Sequence, residues 1–206
     1  HEFGWRPIIV TTHPKYYEET LDWGLASLVD PALEIICTKA IPTRPLKIIG
    51  DIGIRAMFWH YRSLMRLVRD GKIDFIHITV PSFFSAMLGQ MVFSKTATPF
   101  GIDYIDPWVH VWPAAGIRYS KAWVSMKLGE YLEPKAVRNA ALITGVAPGY
   151  YEGMFARNPH LRSTCVAASM PYGFSELDFL APVVRNGATT LFDSGDGKFH
   201  MLYAGA

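Results

Sequence analysis

Polar side chains recur in this chain just where apolar runs of strand character end. Thr12 and His13 follow Trp5 to Val10. Ser82 follows Ile73 to Val80. Asp103 and Asp106 close the run from Pro99 to Ile105, and Trp108, His110 and Trp112 come next. In open α/β sheets ligands bind outside the carboxyl ends of the strands, so one edge of a parallel sheet would carry all of these groups. Asp106 has the strongest chemical case. A carboxylate accepts hydrogen bonds from two sugar hydroxyls or takes a proton from one. Trp108 offers a flat apolar face with an N–H at its rim. His110 could complete the group. Asp106-Pro107 is also an ordinary way to begin a turn.

The elements that must hold these residues alternate. Trp5–Thr12, Leu33–Cys37, Ile73–Val80, Pro99–Ile105, Ala141–Val146 and Thr164–Ala168 read as short strands, β-branched and apolar. Helical patterns lie between them: around Tyr17–Leu28, Ile48–Asp70 with Gly71 as the stop, a stretch opened by Pro81-Ser82 with Ser82 as N-cap, and Ser120–Asn139, which Pro134 should kink or divide. This order predicts an α/β fold of Rossmann type, a mostly parallel sheet with helices on both faces. The uncharged run Phe75–Phe93 approaches the length of a membrane span. His77, Gln90 and Pro81-Ser82 within it favour a strand followed by an amphipathic helix instead.

Composition limits the function classes. Half of the 206 residues are hydrophobic and 18% are charged, which suits a cored domain. A formal charge of +2 is too small to indicate nucleic acid as a partner. Cys37 and Cys165 sit in apolar runs, as buried thiols of a reducing compartment do. No Cys/His spacing of a metal site is present, and neither is a Walker loop, a Gly-x-Ser-x-Gly elbow or a G-x-G-x-x-G fingerprint. His77, inside a strand, reads as a core histidine. Arg55, Arg62, Arg66 and Arg69 form a stripe beside the apolar face of their helix. That stripe is either a solvated face or a patch for anionic head groups.

Four stretches in order resemble glycosyltransferases of the GT-B fold, family 4 in particular: Glu130–Met154 (EYLEPKAVRNAALITGVAPGYYEGM), Ser169–Phe179 (SMPYGFSELDF), Phe199–Ala206 (FHMLYAGA) and IDYIDPW around Asp106. The resemblance implies an amino-terminal, acceptor-side domain over residues 1–170, a linker over 171–198 and the first strand of a donor-side domain over 199–206. It implies transfer of a sugar from a nucleotide-sugar donor to a saccharide or lipid-linked acceptor, in cell-surface polysaccharide or glycolipid synthesis, and inactivity of this fragment alone. No metal or other cofactor is expected, because helix N-termini and basic side chains hold the leaving diphosphate. Tyr172 and Gly173 would lie near the donor at the domain junction. Asp106 is the expected catalytic residue. Thr12, His13, Ser82, Asp103, Trp108 and His110 are the expected acceptor-side residues.

The expected location is cytoplasmic, with peripheral contact at an anionic inner membrane face. Ala141 and Ala147 depart from the family's usual Asp and Ser, and no catalytic histidine carries over. The family's first strand, with its glycine-rich loop, is expected ahead of His1. The alternatives are a non-catalytic Rossmann-like binding or interaction module and a nucleotide-sugar epimerase of the same fold.

Overall fold

The structure, a computed structural model, describes residues 4–18, 20–21, 26, 29–44, 50–80, 82–109, 116–173 and 195–199. The chain is α/β with parallel strands in two sheets, consistent with a Rossmann-like fold. β1 (Ile8–Thr12) pairs with β2 (Glu34–Thr38) in one sheet. β3 (Ile76–Thr79), β4 (Phe100–Tyr104), β5 (Leu142–Gly145) and β6 (Val166–Ser169) form the other, in that order. Every pairing is parallel.

Among the described residues the α-helices are α1 (Ile52–Arg69), α2 (Met87–Thr96), α3 (Lys121–Val137) and α4 (Glu152–Arg157). Asp51 caps α1 by accepting the Ile54 N–H at 2.9 Å, and the chain turns at Gly71, where φ is +63°. Ser120 caps α3 in the same way, accepting from Trp123 at 3.1 Å. Pro134 does not divide α3, which runs unbroken through it.

The run Phe75–Phe93 resolves into β3, a 3₁₀ turn over Phe83–Ala86 and most of α2. Among the described residues no helix is long and apolar enough to cross a membrane. The expected helix around Tyr17–Leu28 lies mostly outside the described residues.

Period-two alternation gives the four-stranded sheet two unlike faces. Ile76, Ile78, Phe100, Ile102, Tyr104 and Ile143 point into the main core, with Val80, Val92, Met154 and Leu161. Steps from β3 to β6 all run the same way, so right-handed connections place α2, α3 and α4 on that one face. Among the described residues, His77 and Thr79 on the other face are exposed.

The core also holds one ion pair. Glu133 of α3 is fully buried, and Arg157 of α4 reaches its Oε2 through Nε and Nη2, each at 2.7 Å. The Tyr104 hydroxyl donates to Oε1 at 3.5 Å. Burial raises the Glu133 pKa above its ordinary value, and Arg157 opposes the rise. Burial and the neighbouring Glu133 push Tyr104 well up.

Chain packing separates His1–Tyr172 from Gly173–Ala206. In the second unit only Gly173 and residues 195–199 are described, so most of the expected linker and the strand beyond Phe199 lie outside the described residues.

Candidate functional site

β1 and β3 do not pair, and a cavity of about 260 Å³ lies where their edges face each other. Thr12, at the end of β1, is buried with its Oγ1 3.3 Å from Nε2 of His60 on α1. Burial lowers the His60 pKa and a hydrogen bond to the Thr11 backbone opposes the shift, so the ring is mainly neutral at pH 7. Ser82, just past β3, lines the same cavity and is also buried. Its hydroxyl does not cap the turn it precedes. It donates instead to the Asp51 carboxylate, 2.8 and 3.0 Å from the two oxygens.

One carboxylate thus caps α1 and anchors the loop after β3. Gly53 lets the two approach, since a Cβ there would overlap Ser82 and Ser85. Arg55 ties down the other side. It is buried, and its guanidinium donates to the carbonyls of Tyr16 and Ile41, each at 3.0 Å. These carbonyls follow β1 and β2, so Arg55 belongs to the scaffold of the strand ends and not to the expected basic stripe.

Asp103 points away from the core, beside Thr144 in register. The buried Thr144 hydroxyl donates to Asp103 Oδ1 at 2.6 Å and lies 3.4 Å from His77 Nε2. Thr144 directs its proton to the carboxylate and not to the imidazole. The trio therefore holds His77 and Asp103 in place and does not activate a nucleophile. His77 is exposed and lines the cavity with Thr12 and Ser82, which corrects its reading as a core histidine. The signal was in IDFIHITV: strict alternation sets His77 and Thr79 opposite Ile76 and Ile78. His60 and Thr144 were missed, because nothing local marks a helix histidine or a strand threonine whose partner is distant.

No family model matches the chain, and no curated protein matches it in sequence. The remaining expected site residues are placed by geometry alone. Asp106 is exposed beyond β4 and does not line the cavity. Trp108 does not present the expected open face. It is buried, with Phe83 stacked on it at 5.7 Å and an interplanar angle of 5°, and Phe84 meeting it edge-on at 6.3 Å. Its ring also packs on α3 at Gly129. The Phe83–Trp108 stack does set the Asp106–Trp108 stretch at the same end of the sheet as Ser82. His13 is exposed and shapes a turn: its Nδ1 accepts the Lys15 N–H at 3.2 Å. Tyr172 and Gly173 are both exposed. His110 lies outside the described residues.

Two other features bear on partners. Arg62, Arg66 and Arg69 line a shallow groove with Lys39, Phe58 and Trp59. Cys37 is exposed and Cys165 half-buried, which corrects the reading of two buried thiols: the outer face of β2 is not covered at Cys37. Among the described residues no cluster of His, Cys, Asp and Glu could hold a metal ion.

Proposed function

We propose that the chain is the acceptor-side half of a sugar transferase, which moves a sugar from a nucleotide-sugar donor to a saccharide or lipid-linked acceptor. One observation supports this most. Thr12 and Ser82, on separate strand ends, share a cavity with His60, His77, Thr79 and Ser85. Short hydroxyls and the neutral His60 imidazole both donate and accept, which suits a neutral polyol. Asp106, exposed beyond the next strand end, would serve as the base for an acceptor hydroxyl at the rim. The product of the uninterrupted reading frame, assayed with nucleotide sugars for hydrolysis and transfer, tests this. Turnover that falls at least tenfold in Asp106→Asn, with nucleotide binding intact, supports the reading. Absence of any nucleotide-sugar binding ends it.

The second reading is a binding module without chemistry. It is favoured by the satisfied state of the interior carboxylates, Asp51 by Ser82 and Asp103 by Thr144. Saccharide binding with no turnover in that same assay would select it.

The proposed contact with an anionic membrane rests on the groove of Arg62, Arg66 and Arg69 beside Phe58, itself 59% exposed, and Trp59. Basic residues near such a surface contribute about 1 kcal/mol each, and aromatic side chains insert at the head-group level. Vesicles with 30% phosphatidylserine should pull down the chain, with roughly thirtyfold lower affinity after Arg62→Gln with Arg66→Gln. Unchanged co-sedimentation refutes the contact.

A further inference from the structure

Helix α3 is apolar on both of its sides. Gly129, Ala136 and Val137 are buried against the core, with Glu133 among them in its ion pair. The opposite side carries Val124, Leu128 and Tyr131, which are 51%, 39% and 64% exposed. A surface helix normally has one apolar stripe, turned inward, and polar residues outside. The outer residues of α3 also keep a regular spacing. Lys121, Val124, Leu128, Tyr131 and Lys135 follow one another in alternating steps of three and four, the repeat of a seam along which two helices pack. An exposed apolar strip rimmed by charge marks an interaction surface.

Charge narrows the partner. Lys121, Lys127, Lys135 and Arg138 are all exposed, along the seam or beside it. The Lys135 ammonium lies over the Tyr131 ring, 3.4 Å from its centre, which holds a cation on the seam itself. Of the two carboxylates of α3, Glu130 is taken by Lys127 at 2.6 Å and Glu133 is buried with Arg157. We propose that this seam docks an acidic amphipathic helix of another protein. Apolar side chains of that helix pack on Val124, Leu128 and Tyr131, and its flanking Asp and Glu face the lysines.

Two other occupants fit this face less well. A second copy laid antiparallel and centred on Leu128 would set Lys121 against Lys135 at both ends of the seam. A parallel copy would set each lysine against itself. Like charges facing across an interface oppose it. An anionic bilayer takes helices with one broad apolar face and a charged face opposite. On α3 the outer apolar residues form a single line between lysines, and the inner face is core. The arginine groove of α1 involves none of these residues.

Titration of the isotope-labelled chain with a synthetic helical peptide tests the proposal. The probe is about three heptads long, with leucine on its seam and glutamate on both flanks, and its twin carries lysine in place of glutamate. The glutamate peptide should bind at least tenfold tighter than its twin and shift the Val124, Leu128 and Tyr131 amides. Leu128→Ser should weaken it about tenfold at unchanged Tm. Lys121→Gln with Lys135→Gln should remove the preference for glutamate. Equal binding of the two peptides overturns the proposal, and so does a glutamate peptide that shifts the Arg62 and Arg66 amides and not those of α3. Shifts along α3 that grow with the concentration of the chain alone overturn it too, because a second copy is then the occupant. Phosphatidylserine vesicles that perturb these amides where the peptide does not would make the occupant lipid and overturn it as well. The sugar assay and the co-sedimentation of the Arg62 and Arg66 variants read other residues, so their failure and this one are separable.

Discussion

Replacing Arg157 with Leu should destabilise the fold by an amount that depends on pH. Arg157 supplies two contacts to a carboxylate with no exposed surface, while one third of its own side chain stays wet. Breaking a buried pair costs ~3–5 kcal/mol, because the remaining charge is left uncompensated. The wet guanidinium sets the value near the lower end, about 3 kcal/mol at pH 7.5. The sign follows from linkage. Burial raises the folded Glu133 pKa above its ordinary 4.5, so between the two values the folded state binds more protons than the unfolded. Stability is then fully present below 4.5 and declines as pH rises through the folded pKa. Without Arg157 the folded pKa climbs further and the loss grows. At pH 4.5 much of the carboxyl of the variant is already neutral, and the cost should shrink to about 1 kcal/mol, mostly lost packing. Urea denaturation of both proteins at pH 4.5 and 7.5 measures the difference. Glu133→Gln added to Arg157→Leu should flatten the pH dependence. A destabilisation equal at the two pH values would refute the electrostatic account.

Gly89→Ala should cost about 1–2 kcal/mol despite better helix propensity, since the new methyl overlaps the fully buried Phe100 ring. A neutral or raised Tm would show that Phe100 has room to move. Ser82→Ala removes a donor from the Asp51 carboxylate and should lower stability by about 1 kcal/mol, read by thermal melting. An unchanged melt would mean that the anchor is not formed in solution. Cys37 is exposed, whereas burial pushes the Cys165 thiol up to about 11 against a weaker backbone bond at Ile143. At pH 8 a disulfide reagent should therefore titrate one thiol in a fast phase and the other roughly a hundredfold slower. Two equal phases would contradict this.

The elements were legible because their signals are local. Runs such as IIVTT and FGIDY mark strands by composition, and the spacing of Met57, Tyr61, Leu64 and Val68 marks a helical face. The site was only half legible. Thr12 and Ser82 could be named because a polar residue at a strand end needs no partner to be noticed. The roles of Arg55, Trp108 and His60 depend on what lies across from them. Arg55 shares a stripe with Arg62 by phase, yet two loop carbonyls converge on it alone. Trp108 looks like an open stacking surface until Phe83 covers it.

The same contrast explains the cavity. A strand's sequence tells which side chains face in and which face out, but not which of its two backbone edges is occupied. β1 (IIVTT) reads as β-branched and largely apolar and β3 (IHIT) alternates, and neither pattern says which backbone edge is paired. Among the described residues β1 and β3 are not paired with each other, and both line one cavity with Leu64 and Leu67 of α1. Side-chain pattern and edge pairing are thus separate properties of a strand, and only the fold sets Thr12 and Ser82 across one cavity.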